Sequence, residues 1–427
     1  MLKVRSGGEK TGMRSTYTCL IAYRICSLFA AVLFSFHAVA DEIVVPEEPA
    51  TAVETCPEFG AGFLRVPGRN TCLRVDGSIT ATYTLNTTDK DLLAETTYLN
   101  DSPFIIYDTV DTAASRIKPE VETVLRFTTA APSEYGPVVS VLKFGHLKDP
   151  ETETLQVEQA FVALNGFSFG LRRSFFDFSS GVSNTNGYAS NSNVLLASYG
   201  HDIGKTGRVT VSLEDNTNRR VDDGVWSLRG RHELPDLVVA ASLKNSDRGY
   251  AQLAGVVTQL NSDRSTFCCG VPKDKLGWAV SAGLEYRTKF AGKHGRFVLT
   301  GTYGEGTISY LGGTPFATDF VIDADGSIVP TKGFSLLAGY EHIWKENLKS
   351  HLTVSAISTR TTTRDLNWRP LSVLASTGVE YLPANGMTFG LEANYYLDQA
   401  KARYFGIEGE QSKVEFAKMK VYARRSF

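Results

Sequence analysis

LRVDGSITATYTL (73–85) alternates with period two. Leu73, Val75, Gly77, Ile79, Ala81, Tyr83 and Leu85 fall on one side, and Arg74, Asp76, Ser78, Thr80, Thr82 and Thr84 on the other. This period is that of a β-strand with one apolar and one wet face. Thirteen residues at about 3.3 Å each give a strand about 43 Å long. Strands of soluble sheets run to about 3–10 residues. The length suits a tilted membrane strand of about 9–11 residues with extensions.

The pattern recurs in WAVSAGLEYRT (278–288), RFVLTGTYG (296–304) and TFGLEANYY (388–396). The chain closes on FAKMKVYARRSF, which puts Ala417, Met419, Val421, Ala423 and Phe427 on one face and Lys418, Lys420, Tyr422 and Arg424 on the other. Arg425 interrupts the apolar row. A sandwich would show the same alternation in shorter strands. A membrane barrel fits better, because the apolar faces begin or end on aromatic residues and the opposite faces carry charges. An aromatic girdle and a water-filled lumen require these features. Hydrocarbon tolerates no open sheet edge, so the sheet must close. The terminal strand is then the closing strand, with Phe427 at the periplasmic interface.

Composition agrees. The 427 residues are 42% hydrophobic and 21% charged, with 38 glycines, 24 phenylalanines and 18 tyrosines. Such a mix suits many short strands joined by turns. A formal net charge of -2 excludes a strongly basic nucleic-acid binder.

Residues 1–40 differ from the rest. ICSLFAAVLFSF (25–36) is an apolar run too short to span a bilayer as a helix. Arg14 and Arg24 precede it, and HAVA (37–40) follows. This is the three-part pattern of a secretory signal peptide, with a second possible start at Met13. The segment holds five basic residues and one acid, so its loss leaves 39 basic and 45 acidic residues, net -6. Cys56, Cys72, Cys268 and Cys269 remain, so disulfides are plausible in an exported chain. Cys56 with Cys72 is the better pair. A vicinal Cys268–Cys269 bridge would be strained, and its state is left open. Zinc would need CxxC-type pairs, which are missing.

Turn signals cut 73–427 into about seventeen strand candidates, and a barrel of this kind needs an even number. VWSLRGRHE (225–233) is the weakest, and moving it into a loop over 216–236 leaves sixteen. Short connections (PSEYGP, NG, GHDIGKTG, NSDRG, FAGKHG, KENLK and PANG) then alternate with long ones at about 86–119, 174–192, 216–236, 261–276, 305–332, 360–370 and 398–411. The single exception is 148–153. Sixteen strands leave an aqueous channel.

CPEFGAGFLRVPGRNTCLRVDG (56–77) resembles the N-terminal signature of alphaproteobacterial, Rhizobiales-type general porins. Cys56, Gly60, Ala61, Gly62, Pro67, Gly68, Cys72, Leu73, Arg74, Val75 and Gly77 match it. The acidic leader DEIVVPEEP (41–49), LPDLVVAASLKN (234–245) and the terminal RSF are also similar. The resemblance implies an all-β, 16-stranded antiparallel transmembrane barrel of the bacterial outer membrane. It would be a homotrimer passing small hydrophilic solutes and ions, with its third outer loop folded inward. The organisation expected is a signal peptide (1–40), a periplasmic leader with the Cys56/Cys72 loop (41–72) and the barrel (73–427) in outer-membrane lipid. The third outer loop here is about 174–192, and Asp177 is its only charge, where the family usually has several acids. Basic residues of lumen parity are Arg74, Arg126, Arg172, Lys420 and Arg424. The expected constriction joins Asp177 to Arg172, Arg126 and Arg74, with Lys420, Arg424 and Glu392 on the wall. A neutral loop facing such a wall would favour anions. Alternatively, the basic groups lie away from the constriction, paired with Asp76, Glu122 or Glu392.

Other signals are weak. GHDIGKT (200–206) is one residue short of a phosphate loop and no helix follows, so it reads as a turn. DADG (323–326) lacks the remaining ligands of a calcium loop. No nucleophile, base and orienting group gather, so no enzyme, cofactor or metal is expected. A solute-specific channel would show an aromatic lumen track, but the wet faces show mostly Thr, Ser, Asn and charges. An adhesin acting through its outer loops is the other alternative.

Overall fold

The computed structural model describes residues 54–427 apart from 87–89, 100–101, 112–116, 218, 222–233, 263–272, 291, 314–316, 324, 405–406 and 409–411. The expected signal peptide, the acidic leader, VWSLRGRHE and Cys268–Cys269 lie outside the described residues.

One antiparallel sheet holds eighteen strands, of which Leu64–Arg65 and Ile407–Glu408 are two-residue segments, leaving sixteen. These are β1 (Cys72–Asn86), β2 (Ile117–Ala131), β3 (Val138–Lys148), β4 (Glu153–Leu164), β5 (Phe167–Arg173) and β6 (Asn193–Ile203). Next come β7 (Gly207–Glu214), β8 (Asp236–Asn245), β9 (Gly249–Leu260), β10 (Lys275–Phe290) and β11 (Lys293–Glu305). The last five are β12 (Lys332–Lys345), β13 (Leu348–Thr362), β14 (Leu366–Ala384), β15 (Met387–Tyr404) and β16 (Ser412–Ser426). Each pairs with its neighbours in sequence, and β1 pairs with both β2 and β16, which closes the barrel. Gly77 and Phe427 exchange both backbone hydrogen bonds at 3.0 Å, so Phe427 sits on the seam.

Cross-strand partners share a face. The exposed apolar residues therefore trace one outer surface, through Val75, Ile79 and Tyr83 on β1, Phe167 and Phe169 on β5 and Leu253 and Val257 on β9. The opposite face buries Thr80, Thr302, Ser335, Thr353, Ser376 and Asn394. Tyr286, Phe297 and Tyr340 are successive cross-strand partners, as are Tyr303 and Phe334. Phe297 and Tyr303 are six residues apart on β11, about 20 Å at strand rise. That spacing fits two girdles bounding an apolar band about 25 Å tall.

Several connections are tighter than the sequence suggests. The GHDIGKTG stretch is strand up to Ile203, and only 204–206 turn. Asn165 and Gly166 both have positive φ, 48° and 86°, as a two-residue hairpin requires. β7 pairs directly with β8, from Gly207 opposite Leu243 to Glu214 opposite Asp236. Two long connections carry structure of their own. In 86–119, Lys90–Leu99 pairs with Ser102–Asp111 as a separate hairpin. In 305–332, a 3-10 turn (Ile308–Leu311) is followed by a hairpin of Phe320–Ile322 with Ile328–Pro330. Asp323, Asp325 and Gly326 of DADG lie between the two strands of that hairpin, where the Ser327 N–H donates to Asp325 Oδ1 at 2.9 Å.

Cys56 and Cys72 form a disulfide, with Cα atoms 6.3 Å apart. With Phe63 and Ala130 they make a small core that ties residues 54–72 to the first strand. Cys56→Ser should cost about 3 kcal/mol of local stability, the loop-closure value for a loop of ~15 residues. Faster proteolysis within 57–71, with the barrel intact, is the expected readout.

Candidate functional site

Loop 174–192 leaves β5 and lies against the polar face of the barrel wall. Its root is set by Glu214, at the end of β7. That carboxylate accepts from Ser174 Oγ at 2.6 Å and from the Phe175 N–H at 3.1 Å. Gln252 on β9 donates its amide to the carbonyls of Phe175 and Phe176 at 3.1 and 3.3 Å. Midway, the Val182 N–H and Ser183 Oγ reach Thr353 Oγ1 at 3.2 and 2.7 Å, and the Tyr188 N–H reaches Ser355 Oγ at 3.0 Å.

The tip is held by Glu392 on β15, whose side chain is 0% exposed. Its oxygens accept from the Asn184 N–H at 2.7 Å, the Thr185 N–H at 3.1 Å and Thr185 Oγ1 at 2.6 Å. His351 and Asn394 complete the shell at 3.1 and 3.2 Å. A carboxylate can accept several donors at once, so one side chain satisfies two backbone N–H groups that would otherwise be orphaned.

The sequence-predicted basic residues separate into distinct settings. Lys420 Nζ donates to Thr185 Oγ1 at 3.0 Å. Arg424 donates to Asn184 Oδ1 and, at 3.2 Å, to Thr80 Oγ1. Both cations are therefore at the loop tip with neutral hydrogen-bond partners. Arg172 stands under the loop root, its guanidinium 4.6 Å from the rings of both Phe161 and Phe175. It donates to Ser168 Oγ at 2.8 Å. Arg126 is opposite Asp76 in register and makes no ion pair among the described residues. Arg74 is paired with Asp76 at 3.2 Å and lies 5.1 Å over the Phe63 ring. It is six residues from Thr80, about 20 Å along the strand, so the structure does not bring it to the loop tip.

Asp177, expected at the constriction, is enclosed by protein groups. Its side chain is 0% exposed and paired with Arg219 at 3.1 Å. It also accepts from Ser190 Oγ and, at 2.6 Å, from the Ser192 N–H. Its charge is spent inside the loop rather than shown to the lumen.

Three features escape a parity reading. First, an alternating charge ladder crosses β10 to β14. Arg296 lies 3.3 Å from Glu285 and 3.6 Å from Glu341, and Lys349 lies 3.3 Å from Glu341 and 2.7 Å from Glu380. Its charges are joined in ion pairs, whereas Lys420 and Arg424 form no ion pair among the described residues and have Glu392 beside them. Second, Val238, Ala240, Ala254 and Val256 are apolar on the lumen side and are covered by Phe176 and Tyr310. LVVAA (237–241), apolar on both faces, was the sequence signal for this. Third, Phe161, Tyr250, Tyr396, Phe416 and Tyr422 have lumen parity, more aromatics than expected. Most are engaged rather than forming a free track. Phe178 stacks on Tyr250 at 5.4 Å, Arg172 covers Phe161, and Tyr422 donates to Glu380 at 2.5 Å.

A closed sixteen-stranded barrel, apolar outside and polar within, defines an outer-membrane channel. The Porin subfamily profile matches residues 41–423, and the chain belongs to that family. It is an outer-membrane β-barrel that forms a passive diffusion channel. No curated protein matches it. Among solved structures it is similar to the outer membrane channel DcaP of Acinetobacter baumannii, with TM-score 0.61 and 18% identity over 84% of this chain and 98% of that one. OmpT of Vibrio cholerae has TM-score 0.48 and 10% identity over 85% of this chain and 99% of that one. The anion-selective porin from Comamonas acidovorans has TM-score 0.45 and 12% identity over 84% of this chain and 100% of that one. DcaP supports the shared fold.

Proposed function

We propose that loop 174–192 is the constriction of this channel and that the pore passes small hydrophilic solutes with a weak preference for anions. The observation that carries this is the loop tip. Glu392 is enclosed largely by the loop's own donors, while Lys420 and Arg424 stand beside it and form no ion pair among the described residues. Fixed charge beside a narrow wet path sets ion preference. Glu120 and Glu122 share the lumen face of β2, which keeps the preference weak. The N-terminal motif supports a place among the Rhizobiales-type general porins. Homotrimers, export through a 1–40 signal and a periplasmic leader belong to the same reading, and cross-linking of the purified barrel tests the trimer.

Asn186 is exposed near the tip of the loop. Asn186→Lys should move the reversal potential in a salt gradient further toward anions, and Asn186→Asp should move it the other way. Equal reversal potentials in the two variants would remove the loop from the conduction path.

A further inference from the structure

Loop 174–192 is also held from the outer side. Arg219, in the segment after β7, is 2% exposed. Its Nη2 donates to Asp177 Oδ1 at 3.1 Å and its Nη1 to Ser190 Oγ at 3.0 Å, so it clamps both arms of the loop. Its guanidinium lies 4.2 Å over the ring of Tyr310, from the turn Ile308–Leu311. Tyr310 meets Phe176 edge-on at 4.9 Å and donates to Asp236 Oδ2 at 2.6 Å. Asn216, three residues before Arg219, donates to the other oxygen of Asp236 at 2.5 Å. Ile308, Leu311 and Ala317 pack with Tyr188 and Val221. Described residues of loops 174–192, 215–221 and 306–331 therefore pack together in two buried clusters joined by the turn Ile308–Leu311.

We propose that 215–221 and 306–331 form an outer latch, keyed by Arg219, that sets the position of loop 174–192 and hence the aperture. This rests on the constriction reading above. Arg219 faces Asp177, Ser190 and Tyr310, so it is a positioning residue that acts through the loop.

Asp319 fastens the latch without touching loop 174–192. Its Oδ2 accepts from the Val221 N–H and its Oδ1 from the Ile308 N–H, both at 2.8 Å. Burial pushes its carboxyl up to about 7, against the pull of those two donors and of Arg220 and with a push from Asp236. Behind these lie Arg219, Asp177, Tyr310 and Glu214. The released loop would expose an ordinary carboxyl that ionises from about pH 4. Between about pH 4 and 7 the open state thus binds fewer protons than the closed one. The latch should be firmest in acid and loosen as pH rises through that window.

Single-channel recording of the full exported barrel tests this, using Arg219→Gln, Arg219→Lys, Asp319→Asn and, as a control on the constriction itself, Asn186→Trp. Arg219→Gln should change the occupancy of sub-conductance states by about fivefold or more, with Arg219→Lys in between. Wild-type occupancy should shift between about pH 4 and 7, and Asp319→Asn should flatten that dependence. If Asn186→Trp lowers conductance while folded Arg219→Gln and Asp319→Asn behave as wild type, the latch is overturned and the constriction stands. If Asn186→Trp leaves conductance unchanged, the constriction reading falls and the latch falls with it. Should Arg219→Gln not fold, the flat or sloping pH profile of Asp319→Asn decides alone.

Discussion

Glu392→Ala should raise the single-channel conductance and make the open current noisy. The substitution removes the shared acceptor of the Asn184 N–H, the Thr185 N–H and Thr185 Oγ1. Each buried donor left without a partner costs about 1–3 kcal/mol. Lumen water can replace the carboxylate only if the tip moves off the wall, so the cheapest response is displacement of the loop. The remaining bonds at Thr353 and Ser355 keep the middle of the loop attached, so the change should be partial detachment. Glu392→Gln should be intermediate, because its amide nitrogen would face a backbone donor instead of accepting from it. It also removes a negative charge beside Lys420 and Arg424, so anion preference should rise. Wild-type conductance from folded Glu392→Ala channels would show that the tip is held by other means.

Gly77→Val should largely prevent the barrel from closing. Gly77 lies at the seam and exchanges backbone hydrogen bonds with Phe427. A Cβ there would enter the shell of the Val124 carbonyl oxygen and lie 3.0 Å from Phe427 Cζ. The carbonyl belongs to the β1–β2 ladder and cannot yield cheaply. Overpacking costs about 1–3 kcal/mol and occasionally more, and here it falls on the last pairing that closes the barrel. The expected result is loss of the compact, heat-modifiable form on electrophoresis after refolding. Phe427→Ala should be milder in the same assay, because both backbone bonds survive and the residue is already 57% exposed. Equal refolding of Gly77→Val and wild type would mean that the seam has slack to absorb a side chain.

The aromatic over Gly77 illustrates where local reading stops. Alternation shows that Phe427 ends an apolar face, but not that its ring covers a glycine on a strand about 350 residues away. The same arrangement places Tyr422 over Gly390 and Phe178 over Gly283. Rings that cover strand glycines make up for missing side chains in a sheet. Such pairings depend on register, which no short window contains.

The barrel itself was legible because its physics is local. A strand between lipid and water must alternate at every residue, and a closed sheet must have turns at regular intervals, so LRVDGSITATYTL and its repeats gave about seventeen candidates, and the need for an even number reduced them to the sixteen of the barrel. The Cys56–Cys72 pair was legible for a similar reason, since only 16 positions separate the partners. What occupies the lumen was not legible, because each decisive contact joins residues far apart in the chain. Glu392 meets Asn184 across 208 positions, and Arg219 meets Asp177 across 42. Sequence marked Asp177 as the loop's lone charge, and the tertiary structure buried it against Arg219 from another loop. Sequence placed Arg74, Arg126, Arg172, Lys420 and Arg424 on one face, and the tertiary structure brought Lys420 and Arg424 to the loop tip. Face is a property of parity along one strand. Proximity in a barrel depends on register, closure and where the loops come to rest, and these follow from the sum of long-range contacts.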